Sequence, residues 1–466
     1  MKYTAGQRLD RLPESSFHRR LAALIGAGLF FDAFDLFLAS GVMMALSTSG
    51  WATMAQNAQF ASAGAVGASI GALLAGWVGD KFGRRFAFQF NLLLFGTMSI
   101  AAACAPSMTW LIVCRFLMGI GLGAEVVVGY STISEFVPPQ KRGKWGAIIF
   151  FIATSALPVS SLVSYLVIPH FGWRWMFVIA GTGAFVVWYL RKKMPESPRW
   201  LESAGRHAEA RQVLDEIEAE VSKKHILSVP VSTPVPAKAP TAAHYRLIDL
   251  FKPPLLRSTL LGMTLNIVPL SAVYGFIVWL PTFLVKQGLS VTASLGHTAL
   301  MNTGSLIGIF LAGRYSDKWG RKKGIIALSV ITAGLGWWYS HAGSIETTAL
   351  IGITLIASIY CMGTLSFSTY VPELFPTELR LRGTSISSTA GRVASILAPQ
   401  AVSILYAYEG GVSGVMFAIV GLMLAQAIIM ALFGIDMTGR SLDAQAIEIP
   451  VETGVDASTV IKPRQS

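Results

Sequence analysis

Five ionisable residues fall inside stretches of sequence that are otherwise apolar. Asp32 and Asp35 lie in the first such stretch, Arg115 and Glu125 in the fourth, and Arg392 in the eleventh. A charge at the centre of a bilayer costs about 2.5–3.5 kcal/mol even on the lenient insertion scale, so charges in such places usually serve a function. A buried carboxylate can bind and release a proton, and an arginine can hold an anion.

Asp32 and Asp35 are three residues apart, so they share one face of a helix. Two neighbouring carboxylates in a dry site do not both ionise cheaply, and we expect at least one of them to exchange a proton. Arg115 is expected at the depth of Asp35 and can pair with it. Glu125 lies nearer the inner face. It is expected either to take part in proton coupling or to accept a structural hydrogen bond.

Arg392 presents a fork of donors that matches a carboxylate. It predicts an anionic substrate, with an internal salt bridge as the alternative. Aromatic residues are plentiful in the stretches that should surround a cavity, although each one alone is more often core than ligand contact. Together with Arg392 they suit a small aromatic acid. The aromatic candidates for substrate binding are Tyr274, Trp279, Tyr360, Phe367 and Tyr370.

These residues need a membrane scaffold to hold them. The chain has 466 residues, of which 53% are hydrophobic and 13% charged, against about 25% charged in soluble proteins. A membrane span needs roughly 20 mainly apolar residues. Twelve such runs lie near 21–46, 57–79, 86–105, 109–131, 145–168, 174–191, 258–285, 294–316, 323–340, 346–372, 383–407 and 412–434.

The basic residues predict the orientation of these spans. All but four of the 37 lysines and arginines fall in the tails and the even-numbered loops; the exceptions are Arg115, Arg174, Lys286 and Arg392. Lys and Arg in short loops are retained on the cytoplasmic side of a membrane. We therefore expect a multi-pass protein of the cell's inner membrane with both termini in the cytoplasm. This asymmetry accounts for the net charge of +12, so no nucleic-acid partner is expected.

The runs divide the chain into two halves. We predict a cytoplasmic tail at 1–20, a six-helix bundle at 21–191, a cytoplasmic linker with an amphipathic helix at 192–257, a second six-helix bundle at 258–434 and a cytoplasmic tail at 435–466. No His/Cys cluster with metal spacing and no nucleotide-binding GxxxxGK[ST] loop is present, so we expect neither an enzyme, a metal nor a cofactor.

The two halves repeat each other. GWVGDKFGRR (76–85) recurs as GRYSDKWGRK (313–322), and EFVPPQKRG (135–143) recurs as ELFPTELRLRG (373–383), at nearly the same offset along the chain. Parallel repeats of this kind form transporters whose site lies between the halves. Acids and arginines of these loops are expected to form a breakable cytoplasmic gate. Its predicted members are Asp80, Arg84, Glu135, Arg142, Asp317, Arg321, Glu373 and Arg380.

On these motifs the whole chain resembles the major facilitator superfamily. RFLMGIGLGAE (115–125) is similar to its fourth-span motif, and PESPRWL (195–201) is similar to the branch of sugar porters, organic-ion transporters and metabolite:proton symporters. The resemblance implies an all-α membrane protein of twelve transmembrane helices in two pseudo-symmetric bundles. It also implies that Asp35 and Arg115 couple protons to transport, as their counterparts do in sugar porters.

FDAFDLF in span one resembles aromatic-acid:proton symporters, and GLGAE with WLPTFL resembles bacterial niacin transporters. The Gln-Leu-Ser motif of sugar porters is replaced in span seven. The leading prediction is proton-coupled uptake of a small organic acid, and nicotinate is the first candidate. The expected partners are the solute, protons and the lipid bilayer. The protein is expected to be a monomer. A sugar or polyol:proton symporter, a cation or drug exporter and a non-transporting receptor remain alternatives.

Overall fold

The computed structural model describes residues 3–138, 141–224, 227, 247–253, 255–375, 379–408 and 411–435. Within helices some side chains also fall outside this description, among them those of Asp80, Arg142, Asp317 and Arg380. Half of the predicted gate residues therefore lie outside the described side chains. So do the Pro-rich part of the linker and most of the C-terminal tail.

Regular structure in the described residues is entirely helical, and it confirms the predicted fold of twelve membrane spans in two bundles. Spans one to six are Ser16–Thr48, Met54–Phe82, Arg84–Ala103, Met108–Phe136, Arg142–Phe171 and Arg174–Arg191. Spans nine, eleven and twelve are Arg321–Ser340, Arg380–Tyr408 and Val412–Phe433. By length and apolar composition alone, nine of the described helices qualify to cross a membrane. The other three spans are six, nine and eleven.

The same pairs of helices pack in each half. Span one packs on span five, span two on span four, and span three on span six. In the second half span seven packs on span eleven, span eight on span ten, and span nine on span twelve. Each pairing of the first half thus recurs six spans later, as a duplicated bundle requires.

Glycines set the closest of these contacts. A Cβ atom on Gly67 would lie 2.1 Å from the carbonyl oxygen of Phe116, and one on Gly71 would lie 2.0 Å from that of Ile120. Gly304 and Gly308 are the equivalent residues of the second half. Cβ atoms on them would lie 2.2 Å from the carbonyl oxygen of Ile353 and 2.1 Å from that of Ala357. Backbones pack directly against each other there, which is how helices associate in lipid without a hydrophobic driving force. The repeat seen in the loops therefore extends into the packing.

Three spans of the second half are not continuous α-helices. Span seven runs over Leu255–Gly275, a 3₁₀ turn at Ile277–Trp279, and Leu280–Lys286. Pro281 lacks the N–H that would bond the carbonyl of Ile277, which favours the tighter turn.

The other two interruptions lie in spans eight and ten. Span eight is divided at Thr303 into Val291–Asn302 and Gly304–Trp319. Span ten passes through a π-helical segment at Leu365–Tyr370 between Ile345–Thr364 and Val371–Glu373. Such segments widen the helix locally and are common beside functional sites.

A small helical layer covers the first half on the side where the linker helices lie, which we call the linker side. It consists of the helices Ala5–Asp10, Pro198–Ser203 and His207–Ser222. Arg8 joins the first to the third through Glu218, with Nη2 to Oε2 at 2.8 Å. Leu9, Leu214 and their neighbours bury the apolar faces between them.

The close approach of spans two and four gives the first prediction. A Cβ atom on Gly123 would lie 1.9 Å from the backbone oxygen of Ala68, so Gly123→Ala must push the helices apart. We expect a loss of about 1–3 kcal/mol, measured as a lower thermal midpoint of the detergent-solubilised protein. Gly421→Ala, in span twelve with no atom within 4 Å, is the matched control, and an equal midpoint for both variants would contradict the packing described here.

Candidate transport site

A cavity of about 340 Å³ lies between the two halves. Its walls come from spans one, four and five of the first half and spans seven and ten of the second. Most of the lining is apolar, and the only charged side chain among the described lining residues is Asp32. The polar and aromatic members of the lining include Asp32, Tyr130, Thr154, Tyr274, Tyr360, Thr364 and Phe367.

The two aspartates of span one have different surroundings. Asp35 is 2% exposed and forms a buried ion pair with Arg115, which is 3% exposed and also lies over the ring of Phe60, 5.2 Å from its centroid. The pairing of Asp35 with Arg115 is thus present in the structure, while the other oxygen of Asp35 has no described partner. Asp32 is half-buried at the cavity wall, with no described hydrogen bond or ion pair.

Glu125 forms a second buried ion pair that the sequence did not predict. Its partner is Arg191, the last residue of span six, with Nη1 to Oε1 at 2.5 Å, and neither side chain is more than 1% exposed. Arg191 also donates to the backbone oxygens of Leu24 at 2.9 Å and Ile25 at 3.0 Å. The pair therefore ties spans four and six to span one.

Gly28 makes this approach to span one possible. A Cβ atom there would lie 2.1 Å from Nη2 of Arg191 and 2.2 Å from Oε1 of Glu125. Arg191 ends an apolar span and begins the basic run RKK, so its sequence context does not separate it from ordinary interfacial residues. The sequence feature that could have indicated this pair is Gly28, because its lack of a side chain leaves room for Glu125 and Arg191.

Arg392 is half-buried in span eleven and lies outside the described lining of the cavity. No hydrogen bond or ion pair of its side chain is described. Ser395, about one turn further along span eleven, donates from its Oγ to the backbone carbonyl of Arg392 at 2.7 Å. Arg392 is therefore not part of the described cavity wall.

The predicted aromatic residues separate into two groups. Tyr274, Tyr360 and Phe367 line the cavity. Trp279 is fully buried and stacked on Phe283, at 6.4 Å between ring centroids. Tyr370 is buried with its hydroxyl donating to the carbonyl of Ile435 at 2.7 Å, so neither of these two faces the cavity.

Hydrogen bonds join the halves on the side opposite the linker, which we call the loop side. Asn302 donates to Ser161 Oγ at 2.7 Å, and Ser62 donates to the carbonyl of Ile396 at 2.7 Å. Gln400 adds a longer contact to Ser62, 3.4 Å. Every ion pair described on the linker side, by contrast, stays within one half and its attached helices. Hydrogen bonds therefore hold the two halves together on the loop side.

Comparisons with known proteins agree with this architecture. The profile of the family described as "Sugar (and other) transporter" matches residues 31–448. The inner membrane metabolite transport protein YdjE of Escherichia coli is 36% identical over 94% of this chain and 97% of its own length. This chain belongs to the sugar (and other) transporter family of the major facilitator superfamily. It is a multi-pass membrane protein that transports small molecules.

Other members of this family and fold are similar over nearly the same length. The niacin transporter NiaP of Acinetobacter baylyi is 30% identical over 94% of this chain and 98% of its own. The inward-open structure of the xylose transporter XylE of Escherichia coli superposes with a TM-score of 0.72 and 18% identity, over 92% of this chain and 99% of that one. The xylose transporter is therefore similar in fold.

The family's loop motifs form the same ion pair in each half. Arg84 contacts Glu135 with Nη2 to Oε1 at 2.9 Å, and Arg321 contacts Glu373 with the same atoms at 2.9 Å. Each pair fastens the start of one span to the end of the next within its half. These four predicted gate residues thus meet in pairs.

PESPRWL reinforces the first of these pairs. Glu196 accepts from the backbone N–H groups of Arg84 at 2.9 Å and Arg85 at 3.1 Å, and so caps the start of span three. Burial raises the pKa of Glu196, while the N–H groups of Ser197, Arg85 and Arg84 oppose that rise. Arg199 donates to the carbonyl of Glu135 at 2.7 Å. The motif is a structural clasp on the linker side.

Removing one partner of a buried ion pair leaves a charge without compensation. Arg191→Leu is expected to cost about 3–5 kcal/mol, because Glu125 then remains buried alone. The thermal midpoint should fall accordingly, and adding Glu125→Leu should recover part of it. Arg206→Leu removes only an exposed pair with Glu209, which water screens, so it should leave the midpoint nearly unchanged. Equal effects of the two arginine substitutions would refute the structural role of Arg191.

Proposed function

We propose that this transporter carries a small aromatic carboxylate, with nicotinate as the first compound to test, together with a proton into the cell. The observation that carries the proposal is the cavity itself. Tyr274, Tyr360 and Phe367 line a space in which Asp32 is the one charged side chain among the described lining residues, and Arg392 of span eleven is half-buried outside that lining. Aromatic walls suit a planar ring, and the guanidinium fork of an arginine suits its carboxylate.

The volume of the cavity and the relatives of the chain support a solute of this size. About 340 Å³ falls at the small end of ligand pockets, which run from about 300 to 1,000 Å³. The niacin transporter NiaP is similar along almost the entire chain. The predicted orientation places the linker side in the cytoplasm and the protein in a bacterial inner membrane, so that the loop-side hydrogen bonds between the halves lie toward the outside.

In the proposed cycle the loop side opens first and a proton reaches Asp32 or Asp35. Protonation of Asp35 loosens its pair with Arg115, and the substrate carboxylate binds at Arg392. The halves then rock about the cavity, which re-forms the loop-side hydrogen bonds of Asn302 and Ser62. Proton and substrate leave toward the cytoplasm, where the lower proton concentration favours release.

Sugar or polyol transport is the second candidate, because the family name includes sugars and hydroxyl groups of Tyr130, Thr154 and Thr364 line the cavity. Sugar hydroxyls are best matched by groups that both donate and accept, such as amides. None of the described lining residues is an asparagine or glutamine. The lining therefore favours an aromatic acid over a sugar.

Uptake of radiolabelled nicotinate into proteoliposomes tests the substrate. An inward proton gradient should stimulate uptake above that of empty liposomes, and benzoate should compete while xylose should not. Arg392→Gln should raise KM about 10- to 100-fold, the value of one charged hydrogen-bonded contact. Arg392→Lys, which keeps the charge but loses the fork, should fall between. Competition by neutral sugars with no effect at Arg392 would reject the aromatic-acid proposal in favour of a sugar.

The aspartates of span one test the coupling. Asp32→Asn or Asp35→Asn should abolish accumulation against a gradient while exchange of internal for external nicotinate continues, because exchange needs no net proton movement. Asp215→Asn, on an exposed carboxylate of the linker helix, is the control and should accumulate normally. The coupling scheme is wrong if both span-one variants still accumulate substrate.

A further inference from the structure

A second cavity, of about 550 Å³, lies at the linker-side ends of spans one and five. None of its described lining residues also lines the transport cavity. Lys224, two residues past the end of the linker helix His207–Ser222, completes its wall. The cavity therefore lies where the linker meets the first bundle.

Positive charge predominates at one end of this cavity. The charged lining residues are Glu14, Arg19, Lys144 and Lys224. Glu14 is already paired, since Lys141 contacts its Oε1 at 3.2 Å and Lys144 contacts its Oε2 at 2.9 Å. No hydrogen bond or ion pair is described for the side chain of Arg19 or of Lys224. Three positive charges and one negative charge thus line this end, which favours an anion.

Trp145 adds an unused hydrogen-bond donor to the same cavity. The residue lines the cavity and is only 5% exposed, and its indole Nε1 has no partner among the described residues. An indole N–H can donate but cannot accept, and a buried donor without an acceptor is destabilising. A ligand with an acceptor oxygen at this position would satisfy it.

The rest of the lining is apolar and lies on a face of span five that meets lipid. The apolar lining residues include Ala22, Ala23, Ile148 and Ile152. Ile148 is exposed, as are Val159, Leu162 and Leu166 further along the same helix. At about 100° per residue these three return to within about 40° of the direction of Ile148. An exposed apolar stripe along a membrane span faces the hydrocarbon of the bilayer.

The two ends of the cavity lie at different depths. Lys144 and Ile152 are eight residues apart on one helix, which is about 12 Å along its axis. Lys144 lies in the first turn of span five, and Ile152 lies well inside that span. The cavity thus runs from a basic end at the edge of the membrane to an apolar end within it.

We propose that this cavity binds an anionic phospholipid from the leaflet on the linker side. Its phosphate lies between Arg19, Lys144 and Lys224 and accepts from the Nε1 of Trp145, while one acyl chain follows the apolar face past Ile148. Lysine and arginine form charge-assisted hydrogen bonds with phosphate oxygens, and basic pockets at the ends of spans suit such headgroups. Lys144 has three donors, so it can serve the phosphate as well as Glu14.

A lipid bound in this way joins three elements of the first half. Arg19 belongs to span one, Lys144 to span five and Lys224 to the linker. Binding should therefore raise the thermal midpoint of the protein, because a ligand that binds only the folded state stabilises it. The site does not depend on which solute the protein carries.

Native mass spectrometry of the purified full-length protein tests the site. The wild-type protein should bind phosphatidylglycerol more tightly than phosphatidylcholine, which has the same phosphate but no net charge. Arg19→Gln combined with Lys224→Gln should weaken phosphatidylglycerol binding about 30-fold, roughly fivefold for each basic group. The control combines Arg206→Gln with Lys223→Gln, which removes two positive charges from the same side outside the cavity, and it should bind as the wild type does.

Trp145→Phe tests the donor separately, because it keeps an aromatic ring and removes only the indole N–H. We expect phosphatidylglycerol binding to weaken about 10-fold, the value of one hydrogen bond to a charged group. Wild-type affinity in this variant would contradict the position of the phosphate beside Trp145.

Three further results would overturn the proposal. The site is wrong if the Arg19 and Lys224 double variant binds phosphatidylglycerol as well as the charge-matched control does. Equal affinities of the wild-type protein for phosphatidylglycerol and phosphatidylcholine would remove the preference for an anionic lipid. Glycerophosphoglycerol, the same headgroup without acyl chains, and inorganic phosphate should not compete at concentrations at which the lipid saturates. Competition by either would show a site for a free anion instead of a lipid.

Discussion

The cost of holding charge in a medium without water governs this structure. Arg115 with Asp35 and Arg191 with Glu125 are buried in the first half, where each isolated charge would carry a penalty of several kcal/mol. Their pairing fixes spans four and six against span one. Both ion pairs lie within the first half. Asp32 is not a member of either pair, and its side chain lines the cavity.

The features that the two halves share form the scaffold, and the residues that differ between the halves form the candidate site. The glycine contacts of spans two and four recur at the equivalent positions of spans eight and ten, and the ion pair of Arg84 with Glu135 recurs in the second half as well. The intramembrane charges do not recur, since the positions 238 residues beyond Asp32 and Asp35 hold Leu270 and Val273. Shared features keep each half rigid, and the unshared ones give it chemistry.

Sequence was sufficient for the features that repeat or alternate on a large scale. Twelve apolar runs and two motif pairs predicted the fold, and depth along the helices brought Arg115 to Asp35. Side-chain direction was harder, because a residue such as Trp279 or Tyr370 sits at cavity depth and still points into its own bundle. Arg191 was missed for a different reason: the end of an apolar run looks the same whether its arginine faces lipid headgroups or a buried acid.

The contacts between the halves are of a different kind from those within them. On the loop side Asn302 with Ser161 and Ser62 with Ile396 are hydrogen bonds between neutral groups, each worth about 0.5–1.5 kcal/mol net. Inside a half, separating spans would expose backbone packed against glycine and break buried ion pairs worth about 3–5 kcal/mol when one partner is lost. The contacts between the two halves should therefore separate more easily than the contacts within each half. We therefore expect the two halves to move as separate units about the cavity, which would expose the solute to one side of the membrane at a time.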